Sequence, residues 1–543
     1  MSSTTPSHAS SSHESFDAVV VGAGFAGLRM LHELRQLGLT VKVIESGSEV
    51  GGTWYWNRYP GARTDTEAWA YAFSFSKELQ EEWDWTERFP PQRETHAYLR
   101  YVADRFDMRR DIQFNTRATS AVFDESSDTW SVTTDQGNTY TCRYFIPALG
   151  VLSTAWKPDF PGLDDFDGEW HLTGRWPDED VDFAGKRVAV IGTGATAVQL
   201  IPILAHTAKQ VQVFQRTPNY VLPARNYTIS DDERRAFRAD YDEIWRKSRE
   251  HFFAFPWEPA GRTADDVTPE EHQKILEQGW ERGGFRFIFE TFDDIFTNEK
   301  SNEIASEFVR NKIRAIVNDP DTAERLCPKN YPLAGKRPPL GHFYYEAFNQ
   351  DNVALIDVSN DPISEITRKG VRAGDVEYEA DIIVFATGFD AVTGSYGGLD
   401  IRGRDGVSIE DKWAAGPRTQ LGIGVDGFPN MFMISGPQTP FANLPVVIDG
   451  IVDWIGRAIS HLQENQLIRM EAEPDAVEHW RQHMEDLVNA TVVTNGPRSW
   501  FLGGNIPGKP QVVLFYFGGA GAYRKECNEA AEKGFEGFAL TSR

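Results

Sequence analysis

Residues 16–45 read FDAVVVGAGFAGLRMLHELRQLGLTVKVIE, and this stretch decides the fold. The apolar run 16–21 is a short buried strand. It breaks at Gly22-Ala23-Gly24-Phe25-Ala26-Gly27, a helical pattern fills 25–37, and Gly38 closes it; 40–44 is a second strand ending at Glu45. The product is one βαβ unit. Gly22 permits the tight turn, Gly24 lets backbone approach a pyrophosphate, and Gly27 lets the helix pack on the sheet. Free N–H groups and the helix dipole favour an anion at this point. Glu45 follows Gly22 by 23 residues, where a carboxylate accepts from ribose hydroxyls and repels a 2′-phosphate.

A second unit starts at 187–191 (RVAVI), turns through Gly192-Thr193-Gly194-Ala195-Thr196-Ala197, runs as a helix to about 205, and returns as the strand 211–215. This motif ends in alanine, and its second strand leads into Arg216-Thr217. Arginine there suits a 2′-phosphate, pairing charge with charge in a bidentate geometry. The first site therefore takes FAD or NAD and the second takes NADPH. A chain holding both is a flavoprotein fed by NADPH. A disulfide reductase would need a redox-active cysteine pair beside the flavin, and Cys142, Cys327 and Cys527 are far apart in sequence. A reductase serving a partner protein and a monooxygenase both stay open; the latter needs neither cysteine nor metal, only a dry pocket.

Outward from these units, the expected fold class is α/β, with two Rossmann-like dinucleotide-binding domains (FAD and NADP) and a helical insertion. The FAD-binding domain is assigned to 16–150 and 388–543, the NADP-binding domain to 151–227 and 332–387, and the insertion to 228–331. Within the insertion, Ser230 with Glu233 and Thr268 with Glu271 fit the capping box, the second with Pro269 at the first helical position. Ile304, Phe308, Ile313 and Ile316 recur at helical spacing before 318–320 stops the helix. The insertion is expected to pack on the NADP domain and shape the substrate tunnel, and its sequence carries no legible chemistry. Strands at 353–357, 363–367 and 381–385 complete sheets begun earlier.

The chain has 543 residues, 41% hydrophobic and 25% charged, ample for a real core. Its 55 Lys+Arg against 80 Asp+Glu give −25, which argues against nucleic acid or an anionic membrane as a partner. The longest apolar runs, such as 511–517 (QVVLFYF), fall far short of the ~20 residues of a membrane span. Residues 1–15 are a polar Ser/Thr-rich tail, expected to be disordered. A monomeric, cytoplasmic protein is expected.

Several further segments carry a family likeness: 51–63 (GGTWYWNRYPGAR), Asp65, 335–337 (GKR), 386–390 (ATGFD), 436–445 (GPQTPFANLP) and 499–509 (SWFLGGNIPGK). Together they resemble the type I (class B) flavoprotein Baeyer–Villiger monooxygenases, over nearly the whole chain from about 16 to 541. One departure stands out. The family's linker signature is F-x-G-x-x-x-H-x-x-x-W followed by Pro or Asp, and 166–177 reads FDGEWHLTGRWP. Phe166, Gly168, Trp176 and Pro177 match, but Leu172 holds the histidine position and His171 stands one residue earlier. Neighbouring side chains in an extended segment face opposite ways, so His171 does not simply take that place.

The resemblance implies that NADPH reduces FAD, that O2 adds at flavin C4a, and that the peroxide attacks a ketone to give a lactone or ester. It implies Arg337 as the catalytic cation, held by Asp65. Around FAD it places Gly22, Gly24, Gly27 and Glu45, with Thr53, Trp54, Trp56, Asp65 and Tyr71. Around NADP it places Thr193, Gly194, Ala195, Thr196 and Gln199, then Arg216, Thr217, Lys336, Arg337 and Trp500. Phe441, Asn443, Leu444 and Pro445 are expected to line the ketone pocket, and no metal is expected. Two other outcomes share the fold: oxidation of sulfur or nitrogen nucleophiles, and an uncoupled NADPH oxidase, for which Leu172 is the one hint.

Overall fold

The strand His13–Val21 lies inside a seven-stranded sheet of the computed structural model, which describes residues 13–496 and 499–542. Its two parallel neighbours are Thr139–Pro147 and Val41–Ile44, so that Val21 stands beside Pro147 and Ile44. Both faces are covered, which is why 18–21 is apolar without alternation; Ala18, Val19 and Val20 are wholly buried. The sheet runs Asp400–Arg402, Ala118–Asp124, Thr129–Thr134, Thr139–Pro147, His13–Val21, Val41–Ile44, Ile112–Gln113.

The second glycine unit sits in a five-stranded, all-parallel sheet ordered Val353–Asp357, Gln210–Gln215, Arg187–Ile191, Ile382–Phe385, Glu169–Leu172. Strands late in the chain thus complete a sheet begun near residue 169, as expected. The strand Ile363–Thr367 instead joins a small antiparallel sheet with Gly370–Ala373 and Val376–Glu379.

Helices dominate between these strands. Both expected capping boxes are present, at Ser230/Glu233 and Thr268/Glu271. The helix Glu299–Ile316 stops before residue 318, but Pro320 then opens another, Pro320–Leu326, whose N-cap Asp319 accepts from Thr322 N at 2.8 Å. Trp280, Phe287, Phe308 and Ile313 of this region share one core with Val188, Val211 and Val213 of the five-stranded sheet. A long helix, Leu444–Glu464, packs on the first glycine helix, Phe25–Gln36, and the buried Arg29 donates to Asp449 at 2.9 Å across the contact.

One expectation needs correction. The polar tail is expected to span 1–15, yet His13, Glu14 and Ser15 pair with Thr139, Tyr140 and Thr141 as the start of a strand. Backbone pairing does not need apolar side chains, so these exposed polar residues extend the ladder. Residues 1–12 lie outside the described residues.

Candidate active site

A cavity of about 880 Å³ runs between the two glycine loops. At the first, Gly22 has φ +108°, and a Cβ there would lie 2.5 Å from the carbonyl oxygen of Ala148. Gly24 caps the helix Phe25–Gln36 with no side-chain hydrogen bond, leaving its first N–H groups directed at the cavity. Gly27 does not line the cavity; a Cβ on it would collide with the carbonyl of Gly22, so its part is close helix packing. Glu45 is 4% exposed. Its carboxylate accepts from Ala23 N at 2.7 Å and Gly47 N at 2.6 Å. Burial pushes this carboxyl up, and those two N–H groups act against the rise.

Thr53, Trp54, Trp56, Asp65 and Tyr71 continue the same wall. Trp54 Nε1 donates to the Tyr71 hydroxyl at 3.2 Å, fixing both rings. The Arg175 guanidinium sits 4.3 Å from the Trp56 ring centre. Arg175 lines the cavity too, and sequence reasoning missed it although it lies inside the linker signature.

The second loop repeats the first. Gly192 has φ +114°, and a Cβ there would lie 2.5 Å from the Ala386 carbonyl oxygen. Gly194 caps the helix Ala195–Thr207 without a side-chain bond, and a Cβ on it would meet nothing within 4 Å. Thr193, Gly194, Ala195, Thr196, Gln199, Arg216 and Thr217 all line the cavity. Thr193 Oγ1 donates to the Thr217 carbonyl at 2.9 Å. Gln199 accepts from the Tyr59 hydroxyl at 2.8 Å and donates to the Arg63 carbonyl at 3.1 Å, tying this helix to the 59–63 segment.

Among the described residues, neither Arg216 nor Lys336 joins an ion pair. Arg216 is exposed, and the Lys336 ammonium lies 4.7 Å from the Tyr331 ring. Burial first, then the Arg216 charge, pushes the Lys336 ammonium down. Arg216 at a strand end and Lys336 in a loop near it, neither paired with a carboxylate among the described residues, fit an anion from outside the chain.

Between the loops, Arg337 forms an ion pair with Asp65; the two side chains are 23% and 11% exposed, opening on the cavity. Burial pushes the guanidinium down to about 10, against a raising contribution from Tyr59, so it stays charged at neutral pH. Its carbon lies 6.0 Å from the Phe441 ring centre, and that ring meets Trp500 edge-on at 4.9 Å. Phe441, Leu444 and Trp500 line the cavity. The insertion adds Phe253, Phe255 and Phe285. The insertion, expected to shape the substrate tunnel, thus supplies part of the cavity wall.

Two residues expected in the ketone pocket do not line the cavity: Asn443 and Pro445 are both buried. Asn443 Nδ2 donates to the carbonyls of Ala70 at 2.7 Å and Ala254 at 3.1 Å, since a buried amide must be used where carbonyls need donors. Pro445 lies in the first turn of the helix Leu444–Glu464. In the linker, Leu172 joins the same core as Phe160, Phe166 and Trp170, while the His171 ring lies 5.3 Å from Trp176. The two neighbours belong to opposite faces of the strand, and neither lines the cavity.

The residues present fit two dinucleotides: two uncapped helix starts open on one cavity, one beside a buried carboxylate, the other beside unpaired cations. Fold and site together define an oxidoreductase of the two-dinucleotide type. A family model described as pyridine nucleotide-disulphide oxidoreductase matches residues 19–244. Disulfide chemistry is not built into this chain, because Cys142, Cys327 and Cys527 are buried in three different cores. The chain is 44% identical to a Baeyer–Villiger monooxygenase of Pseudooceanicola batsensis, over 96% of this chain and 95% of that one. It is also 44% identical to a phenazine N-monooxygenase of Lysobacter antibioticus, over 97% of each. A crystal structure of cyclohexanone monooxygenase from Rhodococcus sp. Phi1, bound to NADP+, superposes with a TM-score of 0.95 at 44% identity, covering 98% of this chain and 100% of that one. The chain belongs to the Baeyer–Villiger monooxygenase family.

Proposed function

We propose that this protein is an FAD- and NADPH-dependent monooxygenase that uses O2 to convert ketones, cyclic ones among them, into lactones or esters. The observation that carries the reading is the Asp65–Arg337 pair, placed on the wall of one cavity that reaches both glycine loops. FAD, when bound, supplies the hydride acceptor and activates O2. The rest falls to the chain. Glu45 and the uncapped start of Phe25–Gln36 hold the flavin nucleotide, in a domain assigned to 16–150 and 388–543. Arg216 and Lys336 grip the 2′-phosphate of NADPH, in a domain assigned to 151–227 and 332–387, with 228–331 as the insertion.

Arg337 offers a permanent positive charge and several N–H donors to the ketone oxygen as negative charge grows on it. A guanidinium suits this task because it keeps its proton and so supplies charge without acting as an acid. Asp65 fixes its orientation. Phe253, Phe255, Phe285, Phe441 and Trp500 give the cavity an apolar wall that excludes water, which strengthens the electrostatics inside. Trp500, on the same wall, would help hold the nicotinamide nucleotide. Three free, buried thiols suit a reducing cytoplasm, and we take the enzyme to act there as a monomer.

A fold does not choose its substrate, and a relative equally similar to this chain is a phenazine N-monooxygenase. Oxidation of an aromatic nitrogen is the second reading, favoured by the aromatic wall. The test is NADPH consumption with cyclohexanone or with phenazine, products read by mass. Caprolactone formed in step with NADPH supports the first reading; N-oxide without lactone supports the second. Replacing Arg337 with Ala is expected to cut lactone formation by roughly 10²–10³ while NADPH still reduces the flavin. Unchanged lactone yield would remove Arg337 from the mechanism.

A further inference from the structure

Two residues beyond Asp65, the carboxylate of Glu67 is buried, 2% exposed, where three distant stretches of chain meet. Its Oε1 accepts from Arg88 Nε at 3.0 Å, Arg88 Nη2 at 2.7 Å and Arg286 Nε at 3.2 Å. Its Oε2 accepts from Trp257 Nε1 at 3.1 Å and Arg286 Nη2 at 3.4 Å. The Arg286 guanidinium lies 4.8 Å from the Trp257 ring centre and gives Nη1 to Glu290 at 2.6 Å. Glu290 also accepts from Arg282 Nη1 at 3.0 Å, so three guanidinium groups share two carboxylates. A carboxylate this deep persists only because both oxygens are fully engaged.

Buried ion clusters often stabilise a fold no more than apolar residues of the same volume would. What this one joins is therefore more telling than its strength. The loop that carries Glu67 is tied at both ends: Thr64 N donates to the Pro90 carbonyl at 3.1 Å and Ala68 N to the Arg88 carbonyl at 2.8 Å. Asp65 lies between those ties. On the other side, Arg286 directly follows Phe285, and the Trp257 ring stacks on Phe255 at 4.3 Å. Phe255 and Phe285 both line the cavity, whereas Glu67 does not. One carboxylate therefore links the loop bearing Asp65 to two aromatic walls contributed by the helical insertion.

We propose that Glu67 is a positioning residue that sets the Asp65–Arg337 pair against the Phe255 and Phe285 walls, so that oxygen reaches the ketone instead of being lost. The inference rests on the reading of this cavity as a ketone-oxygenating site. Glu67 acts through its own loop, Arg286 and Trp257, and touches no reacting atom.

Glu67→Gln keeps the shape and removes the charge. In the holoenzyme we expect anaerobic flavin reduction by NADPH to stay within about two-fold of the parent, with KM for NADPH unchanged. Ketone kcat is expected to fall about ten-fold, a size that slight misplacement of reacting groups produces. Less ester should form per NADPH consumed, and a crystal structure of the variant should show Asp65 and Phe285 displaced. A variant that merely melts earlier, with the parent's kcat and ester yield, overturns the proposal. Should that variant not fold, Trp257→Phe removes one donor and leaves both arginines. It is expected to lower ester yield in the same direction by less, and an unchanged yield overturns the proposal. A parent enzyme that makes ester from no ketone defeats the functional reading by itself; the positions of Asp65 and Phe285 in the Glu67→Gln crystal still decide the role of Glu67.

Discussion

The two glycine units share one backbone device and part company in charge. Gly22 and Gly192 have φ +108° and +114°, and a Cβ on either would lie 2.5 Å from the carbonyl oxygen of an alanine, Ala148 or Ala386. Each leads to a helix capped by glycine with no side-chain bond. At the third small position the first unit has Gly27, where a Cβ would overlap a carbonyl, and the second has Ala197. At the end of the next strand the first has a buried carboxylate, Glu45, and the second an exposed cation, Arg216. Anion binding is thus a property of the backbone in both units. What differs between the units is the charge at the end of the second strand. Burial suits a group that stays; an exposed cation suits one that comes and goes.

The largest effect expected from breaking this symmetry is at Gly27. Gly27→Ala forces the first helix off its sheet, and the variant should purify colourless, as the visible absorbance per mole of protein will report. If it stays yellow, the helix has slack that the geometry denies. Next in size is Arg216→Ala. Losing a charge-assisted pair of about 1.5–3 kcal/mol should raise KM for NADPH roughly 10- to 100-fold and leave KM for NADH nearly unchanged. Equal changes for the two nucleotides would show that Arg216 does not read the 2′-phosphate.

The mirror of the first experiment is milder. Ala197→Gly relieves nothing and only loosens a helix, so urea melting should register about 0.5–1 kcal/mol with NADPH kinetics intact. The smallest effect concerns the family model's disulphide description. Because all three thiols are buried in separate cores, iodoacetamide on the native enzyme should leave turnover unchanged. A loss of turnover would place a thiol in the reaction.

Much of the fold was legible because its signals are local. The strands 353–357 and 363–367 fall where the apolar patterning puts them, and the capping boxes sit at the helix starts they announce. The misses share a different cause. Asn443 is expected in the pocket as part of the family-like stretch 436–445, but the carbonyls of Ala70 and Ala254, each far away in sequence, turn its amide inward. Arg175 is unremarked in sequence until the fold lays it on Trp56. The tail's polar composition hid the pairing of His13–Ser15, since a ladder is made by backbone.

The sequence by itself determined the two nucleotide cradles and their opposite charges. A tight turn, an uncapped helix start and a strand-end side chain are set by residues within about thirty positions of one another. Tertiary structure alone decided the site between them. Asp65 meets Arg337, and Glu67 meets Arg88, Trp257 and Arg286, only because packing two sheets and a helical insertion together brings distant segments within hydrogen-bonding range. Buried charge then admits few arrangements, because each group left unpaired away from water is costly. The Asp65–Arg337 pairing is legible only through the family motifs that carry both residues. No local pattern records that Glu67 will find Arg88, Trp257 and Arg286.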